Sequence, residues 1–587
     1  MSEELTAAID IEELKRECER ARERVAADPD DALAARELRE VVRRFALAAP
    51  HRPQSLPEPA PDVAAARKLV NEGKLEEAEI ILRKHLKSFR HDFPAMHLMA
   101  EIAAKCDLRE DAERILREAA RIHAGSVAAW TNLGMTLHRI ACEKDYPDFV
   151  HRAVDALDQA LALEPEFEPA LAYKAAVYIQ TRGLDRAREA LERLLAMCPR
   201  ASMHWLNYGY VLKTIGEFGK AVGAYRTSAA LDKTNGAAWW GIADLKIAKF
   251  FAFDIEDMEA ALESMGPAEA FRIEICFSVA KALDQAGAYG RAARWLEEGN
   301  RLRAASPSPE TSGVGSGLEF NKRTYSPAFY SKRKGWGDPR PDPIFIVGMP
   351  RAGSTLVEQI LASHSAIEGT EELFILHQLE NELCREHPSK TPEYLVSSLN
   401  ESDFKALGAR YLELATRSRQ TNKPLFTDKN PANWRYLGLI HCMLPNAKII
   451  DVRRNPMDCC FANYGQHYRS GANFTYDQKE LGRYYAEYVE IMRHFDEVLP
   501  GRVHRLIHDD LVDNFEHEVK RLLDYVGVPF EETCLRFYET RRPVHTPSSE
   551  QVRRPINRSG FGRWRNYEPW LSPLRDALGE AATNWRS

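Results

Sequence analysis

The sequence predicts an α + α/β chain, in which an N-terminal α-solenoid is followed by a P-loop-like parallel α/β domain. Two observations predict it. Between residues 62 and 305 one short pattern recurs at a fixed spacing. At 343 a run of apolar residues leads into a glycine-containing loop and then a helical pattern.

The recurrence is carried by Gly73-Lys-Leu-Glu-Glu-Ala78, Asp107-Leu-Arg-Glu-Asp-Ala112, Gly183-Leu-Asp-Arg-Ala187 and Gly216-Glu-Phe-Gly-Lys-Ala221. Ala78 and Ala112 are 34 residues apart, as are Ala153 and Ala187, Ala187 and Ala221, Trp205 and Trp239, and Pro165 and Pro199. With the helix openings Trp130-Thr-Asn-Leu-Gly134 and Trp205-Leu-Asn-Tyr-Gly209, this period resembles tetratricopeptide (TPR) helix pairs. Ala112 and Ala153 stand 41 apart, which predicts a short insertion lengthening the turn near Glu143 to Asp148. Stacked pairs of this kind enclose a groove that takes up polypeptides. The resemblance places Asn132 and Asn207 on its wall, an ordinary surface-polar position being the other reading. Residues 1–61 read as a helical segment ending in a Pro-rich linker, 62–305 as the repeat domain and 306–342 as an interdomain linker. The aromatics of Phe320 to Trp336 predict that part of this linker lies against a surface.

Composition narrows the function classes. The net charge of −7 is mild and argues against nucleic-acid binding. No apolar run of membrane-spanning length occurs, and the acidic start lacks a leader pattern, so a cytoplasmic protein with no membrane span is expected. The ten cysteines are scattered without ligand or framework spacing, so neither a disulfide scaffold nor a metal site is expected.

Residues 343–587 alternate short apolar runs with helical segments, the pattern of a parallel sheet. The expected strands are Ile344 to Val347, Pro424 to Thr427, Ala447 to Val452 and Val503 to Ile507. After the first comes Gly348-Met-Pro-Arg-Ala-Gly-Ser-Thr355, where unpaired N–H groups and a helix N-terminus converge into an anion site. The phosphate-loop rule G-x-x-x-x-G-K-[ST] is nearly met, but Ser354 replaces the lysine. That departure argues against ATP and for another phosphate-bearing donor.

Pro350-Arg-Ala-Gly-Ser-Thr355 resembles the loop with which sulfotransferases hold the 5′-phosphosulfate of 3′-phosphoadenosine 5′-phosphosulfate (PAPS). The resemblance implies a donor cradle of Arg351, Ala352, Gly353, Ser354 and Thr355, releasing the bisphosphate PAP, with no metal. Thr427-Asp-Lys-Asn-Pro431 is similar to a tyrosylprotein sulfotransferase segment whose lysine contacts the transferring group, which implies that role for Lys429. Val452-Arg-Arg-Asn-Pro-Met-Asp-Cys-Cys-Phe-Ala462 resembles the 3′-phosphate segment. Arg454 takes the family's arginine position, while Ala462 stands where the family has serine, so Arg453 or Asn463 would have to compensate. Ser548-Ser-Glu-Gln-Val552 is similar to a tyrosylprotein sulfotransferase segment whose serine helps hold the leaving group, which implies that role for Ser548. Gly562-Arg-Trp-Arg565 resembles the family segment that closes over PAPS, which implies donor contacts for Arg563, Trp564 and Arg565. Arginines 541, 542, 553, 554, 558, 563 and 565 crowd this tail, as a site for an anionic donor would. Gly369-Thr-Glu-Glu372 resembles the segment whose second glutamate takes the acceptor proton, which implies Glu372 as the base. Glu371 is its neighbour, and His377 the next position to consider.

The reading is a PAPS-dependent sulfotransferase acting on a hydroxyl, with tyrosine in a polypeptide, a sugar or a small alcohol all open as acceptor. The repeats would recruit the polypeptide. A peptide-binding scaffold with an inactive catalytic domain, and a phosphotransferase, are the competing classes.

Overall fold

The computed structural model describes residues 11–48, 60–106, 108–143, 147–245, 247–306, 316–387, 392–468, 471–542, 544, 546 and 551–586. The chain divides into two units, Met1–Phe251 and Ala252–Ser587.

The first unit consists of antiparallel helix pairs. Pro61–Asn71 pairs with Leu75–Ser88, Phe93–Lys105 with Arg109–Ile122, and Val127–Glu143 with Pro147–Leu163. Glu168–Gln180 with Leu184–Met197, and Ser202–Ile215 with Phe218–Leu231, follow. The recurring alanines are the reason for the period. Ala78, Ala112, Ala153, Ala187 and Ala221 are all fully buried, so a larger side chain at any of them would have to displace close-packed neighbours. The glycines of the helix openings act in the same way, since a Cβ on Gly134 would stand 2.6 Å from Leu157. A Cβ on Gly209 would stand equally close, 2.6 Å, to Tyr225. The tryptophans repeat one contact. Nε1 of Trp130, Trp205 and Trp239 donates to the carbonyl six residues earlier, on Ala124, Pro199 and Lys233, at 2.9, 2.8 and 2.9 Å.

The insertion after Ala112 differs from the expected longer turn. Val127–Glu143 and Pro147–Leu163 have 17 residues each, against 13 and 14 in the next pair. Both helices gain about one turn, which keeps the same faces in contact because a whole turn restores the helix phase. At the N-terminus, Ile11–Ala27 and Ala32–Ala48 form a hairpin against the Phe218–Leu231 helix. The Arg22 guanidinium lies 4.4 Å from the Trp205 ring centroid, a cation–π contact.

The second unit opens with helices Ala252–Ser264, Arg272–Gln285 and Tyr289–Ala305, the last two an antiparallel pair. Within the 306–342 stretch, Ser316–Thr324 and Pro327–Ser331 are helical, and Tyr325 and Phe329 are buried. Tyr325 fits so closely over the Leu437–Met443 helix that a Cβ on Gly438 would lie 2.4 Å from its ring.

Five parallel strands follow: β1 (Pro343–Gly348), β2 (Ile367–Glu368), β3 (Leu425–Asp428), β4 (Lys448–Arg453) and β5 (Val503–Ile507), in the order β2-β3-β1-β4-β5. Every residue of β1 is buried, as befits the central strand of a sheet covered on both faces. Ligands of such sheets bind beyond the carboxyl ends of the strands, where the chain reverses its direction of travel across the sheet. Here that place lies at the end of β1, between β3 and β4. Among the described residues, no helix is long and apolar enough to cross a membrane.

Candidate active site

The loop leaving β1 is shaped by close backbone contacts. Gly348 has φ +143, and a Cβ there would meet the Val452 carbonyl oxygen at 2.4 Å. Gly353 has φ +108, and a Cβ there would lie 2.5 Å from the His508 ring. Arg351 adopts φ +65, the left-handed conformation that side chains seldom take. The loop ends at the Ser354–Ala362 helix, in whose first turn Ser354 and Thr355 are buried. The result is a tight bend over a helix N-terminus, a geometry suited to an anion.

His508, at the end of β5, forms the wall behind Gly353. Burial and the Arg454 charge push its imidazole down to about 3, so the ring is neutral at physiological pH. Its neighbour is the Phe561 ring, 5.8 Å away.

Arg454, just past β4, reaches across the loop. Its guanidinium donates to the Arg351 carbonyl at 3.2 Å and to the Gly560 carbonyl at 2.6 Å, joining the loop to the C-terminal segment. Arg351 in turn donates to Gln551 Oε1 at 3.4 Å. Gly562 N donates to Asp458 Oδ1 at 2.8 Å. Arg565 lies beside Gly562 and 5.7 Å from the Trp564 ring centroid. Ser548 lies outside the described residues.

From the other side, β3 delivers Lys429. This ammonium is 1% exposed and donates to Glu372 Oε1 at 2.5 Å, while Glu372 itself is 40% exposed. The residues are 57 apart in sequence, and two contacts of the segment before Glu372 bring them together. Lys429 N donates to the Glu371 carbonyl at 3.2 Å, and Thr370 N to Thr427 Oγ1, also at 3.2 Å. His377 stands in the first turn of the Ile375–Glu386 helix, exposed and near Glu380 and Tyr436.

Several expectations for this region change. Arg453 cannot stand in for the missing hydroxyl at Ala462, because it is fully buried and paired with Asp451 at 2.7 Å. The Asn463 amide turns to the loop backbone, donating to the Pro350 carbonyl at 2.7 Å. The arginine-rich tail is partly spent on ion pairs within the protein. Arg542 pairs with buried Glu358 at 2.8 Å, Arg558 with Asp513 at 2.9 Å, and Arg563 with Asp284. Arg563 would have to leave Asp284 to meet a donor phosphate.

The Arg542–Glu358 pair, which the sequence does not signal, belongs to a network beneath the site. Arg542 also donates to Gln359 Oε1 at 2.8 Å and to the Thr370 carbonyl at 3.3 Å, while Glu358 accepts from Thr427 Oγ1 at 3.1 Å. The loop helix, β3 and the Gly369-to-Glu372 segment are thereby tied together. Nothing in the spacing of Glu358 and Arg542, 184 residues apart, signals this contact.

Asp428, between Thr427 and Lys429, accepts from the Tyr411 hydroxyl at 2.7 Å. Burial pushes its carboxyl up to about 7. A folded-state value above the ordinary 3.8 means that the native protein holds this proton more tightly than the unfolded chain. Its contribution to stability is therefore present at low pH and lost as pH rises toward and through 7. Asp428→Asn is expected to gain in melting temperature relative to the unmodified protein between about pH 5 and pH 8, a trend that thermal unfolding at the two pH values measures.

Residues 343–532 match the model of the Sulfotransferase family. Over 415 residues the chain is 29% identical to an uncharacterized protein of Aquifex aeolicus (strain VF5), an alignment covering 68% of this chain and 53% of that protein. The chain thus spans about half the length of this curated relative. Among solved structures, the sulfotransferase domain from the Synechococcus PCC 7002 olefin synthase is 23% identical with a TM-score of 0.30, covering 40% of this chain and 91% of that one. A thermophilic TPR protein of Thermus thermophilus is 15% identical with a TM-score of 0.26, covering 32% of this chain and 94% of that one. The C-terminal parallel-sheet region is a sulfotransferase-family domain, preceded by helical pairs that resemble TPR repeats.

Proposed function

We propose that the protein is a PAPS-dependent sulfotransferase that transfers a sulfuryl group to an acceptor hydroxyl, with a polypeptide tyrosine as the acceptor. One observation carries the reading. The glycine-shaped loop at the end of β1 lacks the phosphate-loop lysine, and the neighbouring strand β3 supplies a buried ammonium, Lys429, held against Glu372. The match of Gly369-Thr-Glu-Glu372 to the tyrosylprotein sulfotransferase base segment supports tyrosine.

In this reading Arg351, Ala352, Gly353, Ser354 and Thr355 cradle the 5′-phosphosulfate. Arg454 meets the 3′-phosphate, and Trp564 and Arg565 close over the nucleotide. Lys429 turns from Glu372 to the sulfuryl oxygens when the donor arrives, and Glu372, released, takes the acceptor proton. The acceptor oxygen forms its bond to sulfur as the bond from sulfur to the phosphate oxygen breaks, and PAP departs with that electron pair. Ser548 steadies the leaving oxygen. Preorganised cations of this kind act where charge develops, and cost no rearrangement of solvent at that moment. Incubation with PAPS and a cell extract, followed by mass spectrometry of the products, tests the reading. Sulfated tyrosine is expected. Sulfate found only on sugars or small alcohols would overturn the acceptor class, and no transfer would overturn the activity.

Arg454→Ala is expected to weaken PAP binding by the equivalent of about 1.5–3 kcal/mol, because a charge-assisted contact is lost. The loss for 5′-AMP, which has no 3′-phosphate, should be much smaller; titration calorimetry with both nucleotides makes the comparison. Ala462→Ser should tighten PAP binding modestly.

The repeats recruit the polypeptide in this account. Asn132 and Asn207 are half-buried and sit in the first helices of their pairs. Replacing both by Ala should raise KM for a protein acceptor several-fold and leave KM for a small phenol unchanged. Equal changes for both acceptors would exclude docking through these residues.

A further inference from the structure

We infer that Tyr468 is a positioning residue for the Met349–Gly353 loop, acting through Asn463. The Asn463 side chain is fully buried and uses both ends. Its Nδ2 donates to the Pro350 carbonyl at 2.7 Å and to the Cys459 carbonyl at 2.9 Å, and its Oδ1 accepts from the Tyr468 hydroxyl at 2.7 Å. A buried amide satisfied on both sides has one orientation. Were the Tyr468 hydroxyl absent, Oδ1 would lose its partner, and the amide would no longer be held against the loop.

Tyr468 is itself fixed at the backbone. Its N–H donates to the Tyr476 hydroxyl at 2.9 Å, and that hydroxyl donates to the Tyr468 carbonyl at 2.9 Å. The preceding residue, His467, lies against Phe277 with ring centroids 5.4 Å apart and the planes tilted by 32°, and 3.5 Å from Glu274. Both partners belong to the Arg272–Gln285 helix, so a helix of the final antiparallel pair buttresses the segment that carries Tyr468. The end of this relay is the carbonyl of Pro350, directly before Arg351, the residue held at positive φ. Burial raises the Tyr468 phenol, with Arg351 opposing and Glu372 adding, so the hydroxyl stays protonated and remains a donor. The relay therefore fixes the backbone from which the Arg351 guanidinium projects. In this role Tyr468 acts through Asn463 and transfers no proton.

The part of this inference that concerns nucleotide binding rests on the donor reading above. The test uses the full chain and two variants, Tyr468→Phe and Asn463→Ala, with their combination. Tyr468→Phe removes one oxygen and keeps the ring, so the protein should still fold, with a melting temperature lowered by a few degrees at most for the unpartnered Asn463 Oδ1. PAP affinity, measured by calorimetry, should fall about threefold to tenfold in Tyr468→Phe. In the combined variant it should fall no further than in Asn463→Ala alone, because the two act in series. Amide hydrogen exchange across residues 349–354 of the nucleotide-free protein should quicken in each variant. Unchanged exchange at the loop would overturn the inference, as would additive losses in the combined variant. If the unmodified protein bound no PAP, the donor reading would fall, while the exchange rates would still decide whether Tyr468 positions the loop.

Discussion

Lys429→Met is expected to lower kcat by about 10²–10³ while leaving the fold intact. The magnitude is that of removing one preorganised stabiliser of transition-state charge. The intact fold follows from the asymmetry of its pair. Lys429 is 1% exposed, whereas Glu372 is 40% exposed, so the carboxylate left behind is solvated. A thioether in place of a buried ammonium also removes a desolvation cost. Melting temperature should therefore hold or rise as turnover collapses. Steady-state kinetics with calorimetry on the same preparation checks both halves, and a parallel loss of stability and activity would make Lys429 a structural residue.

Glu372→Gln is expected to lower kcat by about 10²–10⁴ with little change in PAP affinity, the range for removing a general base. Glutamine keeps the length of the side chain and an oxygen for Lys429, so the geometry at β3 survives. The corresponding change at Glu371 should do far less, because Glu371 meets Lys429 through its backbone carbonyl, which substitution leaves in place. If the Glu371 variant is the inactive one, the two have exchanged roles. If both turn over normally, the base lies elsewhere, with His377 next to be tested.

The contrast between sequence and structure follows from which contacts are local. The recurring alanines, glycines and tryptophans make the helix pairs legible because each repeat buries the same positions. The insertion is not legible in the same way, since spacing counts residues and is silent on whether they enter a turn or a helix. Strands β1, β3, β4 and β5 carry apolar runs, whereas β2 has only Ile367 and Glu368, too few to form a pattern. At the site, the loop after β1 and Lys429 are legible because their chemistry is concentrated in a few adjacent residues. Their surroundings are not. Arg542 looks like a phosphate ligand until Glu358 is seen beside it, and Arg453 like a spare cation until Asp451 is. In the sequence Asn463 offers only a substitute phosphate contact, while its bond to Pro350 depends on how the Pro456–Tyr464 helix packs.

The central claim, that the loop after β1 holds the nucleotide of a sulfuryl donor, is tested most directly by titrating the full chain with PAP and with ATP. PAP at one hundred times its dissociation constant should stabilise the protein by about 2.7 kcal/mol, seen as a rise in melting temperature, with ATP giving little or none. A larger rise with ATP than with PAP, or no rise with PAP, would contradict it.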